Sequence, residues 1–146
     1  MFKLVRLMGR VSRRKEKLVN QPFEELSGLS LKSFHALYLI SQDFRHPGEL
    51  VRELGIPNST ATRLLDTLAA EGLVERSPDP QDQRQLQLSL TALGRERYET
   101  AWAQYMGCLH QGFGQLPDEV LERAVDALSQ LEQALASASD KPRGVA

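Results

Sequence analysis

The spacing of apolar and polar positions predicts a chain built mainly from helices. After Gly55, apolar residues recur at the i, i+3, i+4 and i+7 positions of one helical face, at Ala61, Leu64, Leu65 and Leu68. A shorter helix precedes Gly55, and its apolar side holds Leu50, Val51 and Leu54. Gly55 is typical of the turn that ends such a helix. Two helices joined by a tight turn predict a helix-turn-helix.

The face opposite the apolar stripe of the second helix carries short hydrogen-bonding side chains and one arginine. Besides Asp66, its members are Asn58, Ser59, Thr60, Thr62, Arg63 and Thr67. Short donors and acceptors can approach base edges in a groove, and arginine can bind a guanine edge or a phosphate. We therefore predict DNA contacts for these six residues. The alternative for Arg63 is a surface ion pair with Asp66.

The pattern changes from helical to extended after Gly72. Leu73–Arg76 begins an extended run, and residues 77–82 contain two prolines and predict a turn. Residues 85–90 alternate polar and apolar side chains, as a half-buried strand does. A β-hairpin directly behind a recognition helix predicts a winged helix.

The ordered motifs of this region resemble the signature of the MarR (multiple antibiotic resistance regulator) family. They are Gly72-Leu73-Val74-Glu75-Arg76, Asp79-Pro80, Asp82-Gln83-Arg84 and Leu90-Thr91-Ala92-Leu93-Gly94. The resemblance implies a mainly α fold with a small β-hairpin wing, in which terminal helices that form a dimer flank a winged helix-turn-helix core. It also implies a transcriptional repressor that binds double-stranded DNA, with Arg84 reading DNA from the wing. In that pattern Arg76 and Asp82 position the wing, because the Asp82 carboxylate lies near the guanidinium groups of Arg76 and Arg84.

The resemblance implies one domain over residues 1–146 that forms a homodimer on a palindromic operator. We place the winged helix at about 31–90, the dimerisation helices at about 2–27 and 91–136, and a flexible tail at 137–146. Pro22 is expected to break or restart the chain within the first of these regions, and Gly28 to loosen it again just after. Apolar stripes on both regions support pairing, and they include Leu4, Leu7, Met8, Val11, Leu18, Leu121, Val125, Leu128, Leu131 and Leu135.

The start of the recognition helix departs from the family pattern. Relatives commonly have Ser, Asp or Thr as its N-cap, whereas this chain has Pro57. Either Asn58 caps a helix that starts one residue later, or Pro57 opens the helix without a side-chain cap. Which of Asn58 and Ser59 faces DNA stays open.

Many relatives bind phenolic or aromatic carboxylate effectors where the dimer helices meet the winged helix. Four residues of this chain could line such a site, at one-turn spacing on two predicted helices: His35, Tyr38, Trp102 and Tyr105. The alternative is that all four pack the core, which would leave a ligand-independent repressor.

Charge is unevenly distributed along the chain. The formal net charge is −1, but residues 1–17 hold seven basic residues and one acid. The overall charge argues against indiscriminate nucleic-acid binding, so any DNA contact must be local. The basic residues form a solvated helix face, or they contact DNA backbone or an anionic ligand.

The sequence lacks the residue patterns that are typical of metal-binding proteins, cofactor-binding proteins and enzymes. His35, His46 and His110 lack metal-ligand spacing, and no cofactor loop or nucleophile–base pair is present, so we expect no metal, no cofactor and no enzyme. We expect Cys108 to be a small packing residue. No apolar run predicts a membrane span or a secretory signal, which favours the cytoplasm. A winged helix used as a protein-interaction module remains the alternative to a DNA-binding regulator.

Overall fold

The structure, a computed structural model, describes residues 1–139. Its elements in chain order are α1 (Phe2–Lys15), a π-helical turn (Glu16–Asn20), α2 (Gln21–Ser27), α3 (Leu31–Ser41), α4 (Pro47–Leu54), α5 (Asn58–Ala70), β1 (Val74–Pro78), β2 (Leu86–Leu90), α6 (Ala92–Phe113) and α7 (Asp118–Ser139). The predicted fold class, mainly helical with one β-hairpin, is confirmed. Residues 140–146 of the predicted tail lie outside the described residues, and α7 continues three residues beyond its predicted end.

The N-terminal region is helical from Phe2 to Ser27, and α2 starts at Gln21, so Pro22 restarts an α-helix and does not break the chain. Pro22 lies in the first turn of α2, where its missing N–H has no helical partner to lose. The π-helical turn before it widens the backbone, which relieves the clash that a proline ring makes with the preceding turn. Gly28 ends α2 in the left-handed conformation with φ 67°.

Helices α3, α4 and α5 form the predicted helix-turn-helix and its support. The Ser30 side chain accepts a hydrogen bond from the Ser33 N–H at 3.0 Å and caps α3. Gly55 ends α4 with φ 61°, a left-handed conformation that glycine adopts without a steric penalty. On α5, Ala61, Leu65 and Leu68 are buried, which confirms the apolar face read from the sequence.

The wing is an antiparallel pair in which Val74 faces Leu90 and Pro78 faces Leu86. Strand β1 therefore extends through Pro78, and the expected turn at residues 77–78 is wrong. The Asp79 N–H donates to the Gln85 carbonyl at 2.9 Å, so Pro78 falls at a non-hydrogen-bonded position. Its missing N–H would have pointed away from β2, and the pairing loses nothing.

Helix α6 starts against the base of the wing. As predicted, Thr91 caps it: Thr91 Oγ1 accepts from the Gly94 N–H at 2.9 Å and donates to the Gly72 carbonyl at 2.6 Å. The Thr91 N–H also donates to the Leu73 carbonyl at 3.1 Å. A Cβ on Gly94 would overlap the Leu73 carbonyl oxygen and lie 2.8 Å from its carbon. Only glycine permits this approach.

The chain divides into two compact units, Met1–Gly112 and a second that begins at Phe113. The core of the first unit joins the π-helical turn and α2 to the winged helix, and its largest fully buried side chains are Val19, Phe23, Phe34, Leu37, Leu50, Leu68 and Leu88. Burying one such side chain is worth about 1.5–3 kcal/mol. In contrast, α1 has no buried residue despite its apolar stripe.

The close contact at Gly94 generates a stability prediction. We expect Gly94→Ala to lower the free energy of unfolding by about 1–3 kcal/mol, because the new methyl group must displace the Leu73 backbone. Gly107→Ala is the matched control, since nothing lies within 4 Å of a Cβ there. We expect the control to be neutral or more stable by about 0.5–1 kcal/mol. Urea unfolding at equal protein concentration measures both, and equal stability of Gly94→Ala and wild type would contradict the packing.

Candidate nucleic-acid interface

The exposed face of α5 holds the side chains predicted to contact DNA. Five of the six, namely Asn58, Ser59, Thr62, Arg63 and Thr67, are exposed, and Thr60 is partly buried. The helix begins at Asn58, and Pro57 occupies the N-cap position with no side-chain hydrogen bond. Asn58 therefore does not cap the helix, and its amide stays on the first turn of the exposed face.

Two of the three threonines of this face use their hydroxyl hydrogens within the helix. Thr62 Oγ1 donates to the Asn58 carbonyl at 3.0 Å, and Thr67 Oγ1 donates to the Arg63 carbonyl at 2.9 Å. Each oxygen keeps lone pairs that can accept a hydrogen bond. These threonines therefore offer acceptors and methyl groups to a partner, whereas Arg63 offers donors.

Arg63 makes no ion pair among residues 1–139, because Asp66 binds a different arginine. Arg76 Nη2 lies 2.7 Å from Asp66 Oδ1, so the ion pair joins the recognition helix to strand β1. The Arg63–Asp66 pair considered above is not formed. The exposed guanidinium of Arg63 thus remains available to a groove.

The expected arrangement of Arg76 around Asp82 is wrong, because Arg76 pairs with Asp66. Asp82 instead shapes the wing loop, accepting from the Arg84 backbone N–H at 3.1 Å and from Gln85 Nε2 at 3.1 Å. The Arg84 side chain is exposed at this loop. Sequence reasoning missed the partner because the packing of β1 against α5 decides which carboxylate Arg76 can reach.

Asp79 is a second wing residue whose role the sequence did not reveal. Its Oδ1 accepts from the Gln81 N–H at 2.7 Å, and its Oδ2 lies 3.4 Å from His46 Nε2. The Asp79 side chain is only 13% exposed. It therefore joins the wing loop to the residue that precedes α4. The Asp79-Pro80 motif was the one sequence feature that could have indicated this role of Asp79.

A groove beside Arg63 adds two residues that sequence reasoning missed. Its volume is about 290 Å³, and its lining comprises Ser30, Lys32, Thr60, Arg63, Leu64 and Thr67. Ser30 and Lys32 belong to the start of α3, so this end of α3 lies beside the recognition helix. The Lys32 ammonium and the Arg63 guanidinium make the groove a favourable position for a phosphate.

The four residues predicted to line an effector site are close together in an aromatic cluster. Tyr38 stacks on Trp102 with ring centroids 5.6 Å apart and an interplanar angle of 11°. Tyr105 contacts Phe34 at 5.0 Å and lies edge-on to His35 at 6.4 Å. Trp102 is 41% exposed, so part of the cluster is open to solvent.

Burial shifts the pKa values of two polar groups in this cluster, the His35 imidazole and the Tyr105 phenol. Desolvation, followed by the charge of Lys15, lowers the pKa of His35, so its imidazole is neutral near pH 7. Desolvation, followed by Cys108, raises the pKa of Tyr105, so its phenol keeps its proton. Cys108 itself is buried and unpaired by a disulfide, in agreement with a packing role. No group of three metal-binding side chains occurs in the described part of the chain.

Comparison with known proteins identifies the family. A family model described as MarR family matches residues 27–85. Transcriptional repressor MprA of Escherichia coli K12 is 30% identical over 116 residues, which cover 73% of this chain and 66% of that protein. Multiple antibiotic resistance protein MarR of the same strain is 35% identical over 94 residues, covering 62% of this chain and 63% of MarR. The chain belongs to the MarR family, and it spans about two thirds of the length of these relatives.

Solved structures share the fold. A mutant of MarR from E. coli complexed with operator DNA is 26% identical with a TM-score of 0.76, and the match covers 88% of this chain and 93% of that one. CouR from Rhodococcus jostii RHA1, bound to p-coumaroyl-CoA, is 27% identical with a TM-score of 0.76, covering 86% and 88%. No helix among residues 1–139 is long and apolar enough to cross a membrane.

Proposed function

We propose that this protein is a transcriptional regulator that binds double-stranded DNA in a sequence-specific manner and represses nearby genes. The observation that carries the proposal is the exposed Arg63 on the polar face of α5, which forms no ion pair within residues 1–139, with the exposed Arg84 on the adjoining wing. The likeness to MarR complexed with operator DNA supports it. Because such a regulator binds DNA, the protein would act in the cytoplasm. In this proposal it has no enzymatic activity of its own.

The proposed contacts divide by groove. Arg63 reads a guanine edge in the major groove, while Arg84 enters the minor groove, where width and A·T content matter. Lys32 contacts backbone phosphate, which positions the protein without specifying sequence. A protein-interaction module would instead expose aromatic or aliphatic anchors on this face, and α5 exposes polar residues.

Substitution of the two arginines tests these roles. We expect Arg63→Ala to reduce discrimination at one base position by about 1–3 kcal/mol, because a bidentate guanine contact is lost. Arg84→Ala should weaken operator binding and reduce its salt dependence. The operator is first selected from genomic fragments, and affinities are then measured by fluorescence anisotropy at several salt concentrations. Arg123→Ala on α7 serves as the control, and unchanged affinity and specificity in both test variants would refute the assignments.

We propose further that the protein is a homodimer paired through its terminal helices. On α1, the side chains of Leu4, Leu7, Met8 and Val11 are 39–50% exposed, and on α7 Val125 and Leu128 are more than half exposed. Apolar stripes of this size are normally covered by a partner. Two-fold pairing sets the recognition helices about 34 Å apart, one turn of DNA, and suits a palindrome.

Sedimentation equilibrium at micromolar concentration measures the assembly. We expect a dimer for the wild type and for Lys3→Gln, and a monomer for Leu7→Glu/Val11→Glu, because two charges then lie in the apolar stripe. A monomeric wild type would overturn the dimer and leave the α1 stripe without its proposed cover.

We also propose that a small phenolic or aromatic carboxylate effector binds at the aromatic cluster and weakens DNA binding. His35, Tyr38, Trp102 and Tyr105 supply aromatic walls with polar tips. CouR, solved with a ligand that carries a phenolic group, supports this chemistry. The effector need only prefer a dimer whose recognition helices are misspaced, because the population that fits both half-sites then falls.

Titration of salicylate-like and other phenolic compounds into the protein–operator complex tests the effector. We expect release of DNA together with a change in the emission of Trp102, which reports on this cluster alone because the chain has one tryptophan. Tyr38→Ala, which removes the stacked ring, should raise the effector concentration needed. Absence of release and of any emission change across a broad panel would favour a ligand-independent repressor.

A further inference from the structure

A groove lined by four basic residues and one leucine lies where α1 meets the π-helical turn. Arg10, Arg13, Arg14, Lys17 and Leu18 line it, and its volume is about 500 Å³. The four basic residues follow the i, i+3, i+4 and i+7 spacing, so one helical face carries all of them. A concave space of this size falls within the range of about 300–1,000 Å³ typical of small-molecule sites.

The positive charge of this groove is not neutralised within the described residues. Within residues 1–139, ion pairs join Arg45 to Asp43 and Arg76 to Asp66, and His46 lies against Asp79; none of these contacts involves the groove. Glu16 is the one acid of the first 17 residues. Its Oε2 accepts from Asn20 Nδ2 at 2.6 Å. Like charges at this spacing repel one another, so the arrangement favours a bound anion.

The charge is also concentrated. Residues 1–17 carry a formal charge of +6, and because the whole chain carries −1, the other 129 residues carry −7. The groove lies outside the winged helix that holds the proposed DNA contacts. A local positive site on an otherwise acidic chain suits a small, highly charged ligand better than general attraction to nucleic acid.

We propose that this groove binds the phosphate groups of a soluble organic polyphosphate, such as a nucleoside diphosphate. Each arginine presents a planar fork that matches two phosphate oxygens, and Lys17 adds a compact charge. Arg10 and Lys17 lie about 10 Å apart along the helix axis, at 1.5 Å per residue, which is enough for two adjacent phosphates.

Isothermal titration calorimetry with ADP, without DNA and at 0.15 M salt, tests the site directly. We expect ADP to bind the wild-type protein and adenosine, which lacks phosphate, to give no signal. Arg10→Glu/Arg14→Glu should weaken ADP binding at least tenfold. Lys3→Glu/Arg6→Glu makes the same charge change on the same helix outside the groove, and it should stay within twofold of wild type. Because DNA is absent, the result does not depend on the proposed regulatory function.

Each other outcome is decisive. The proposal is wrong if no heat is seen up to millimolar ADP, or if adenosine binds as well as ADP. It is also wrong if both double variants lose the same ADP affinity, because the effect would then come from diffuse charge. Loss of operator affinity in Arg10→Glu/Arg14→Glu, with no ADP binding by wild type, would assign the groove to DNA phosphates and reject the proposal. If circular dichroism shows that this variant is unfolded, Arg13→Gln/Lys17→Gln replaces it, with a loss of at least fivefold expected.

Discussion

The wing depends on one close approach of two backbones, that of α6 at Gly94 and that of Leu73. The Leu73 carbonyl accepts from the Thr91 N–H, and Thr91 Oγ1 connects the Gly72 carbonyl to the Gly94 N–H. These bonds join the end of the recognition helix, the start of β1 and the start of α6 at one point. The direction in which the wing leaves the domain, and with it the position of Arg84, follows from this junction.

Two side-chain contacts also join the wing to the helices beside it. The Asp66–Arg76 pair connects β1 to the recognition helix, and the His46–Asp79 contact connects the wing loop to the start of α4. Asp66 is 56% exposed, and exposed pairs contribute at most about 1 kcal/mol to stability. The effect of the Asp66–Arg76 pair is therefore mainly geometric, because it ties the helix that carries Arg63 to the hairpin that carries Arg84.

Local features of this fold could be predicted from the sequence, whereas the ion-pair partners of charged side chains could not. Helical spacing located the apolar face of α5, and Gly55 and Thr91 marked helix ends because their conformations and side chains act within one turn. The π-helical turn at Glu16–Asn20 was missed because it leaves no periodic signal. The partner of Arg76 was missed because it depends on how strand β1 packs against α5. The DNA contacts and the effector site remain predictions, since no bound molecule tests them.

The proline at the end of β1 has a consequence for association between copies of the wing. A hairpin that projects from a domain exposes unpaired N–H and C=O groups along its outer edges, and such edges can recruit a strand from another molecule. On β1 the outward position at Pro78 has no N–H to donate, while on β2 the Leu88 N–H is already bonded to the Arg45 carbonyl at 2.8 Å. Each edge thus lacks one of the donors that an added strand would use, which disfavours strand-to-strand pairing between the wings of two copies.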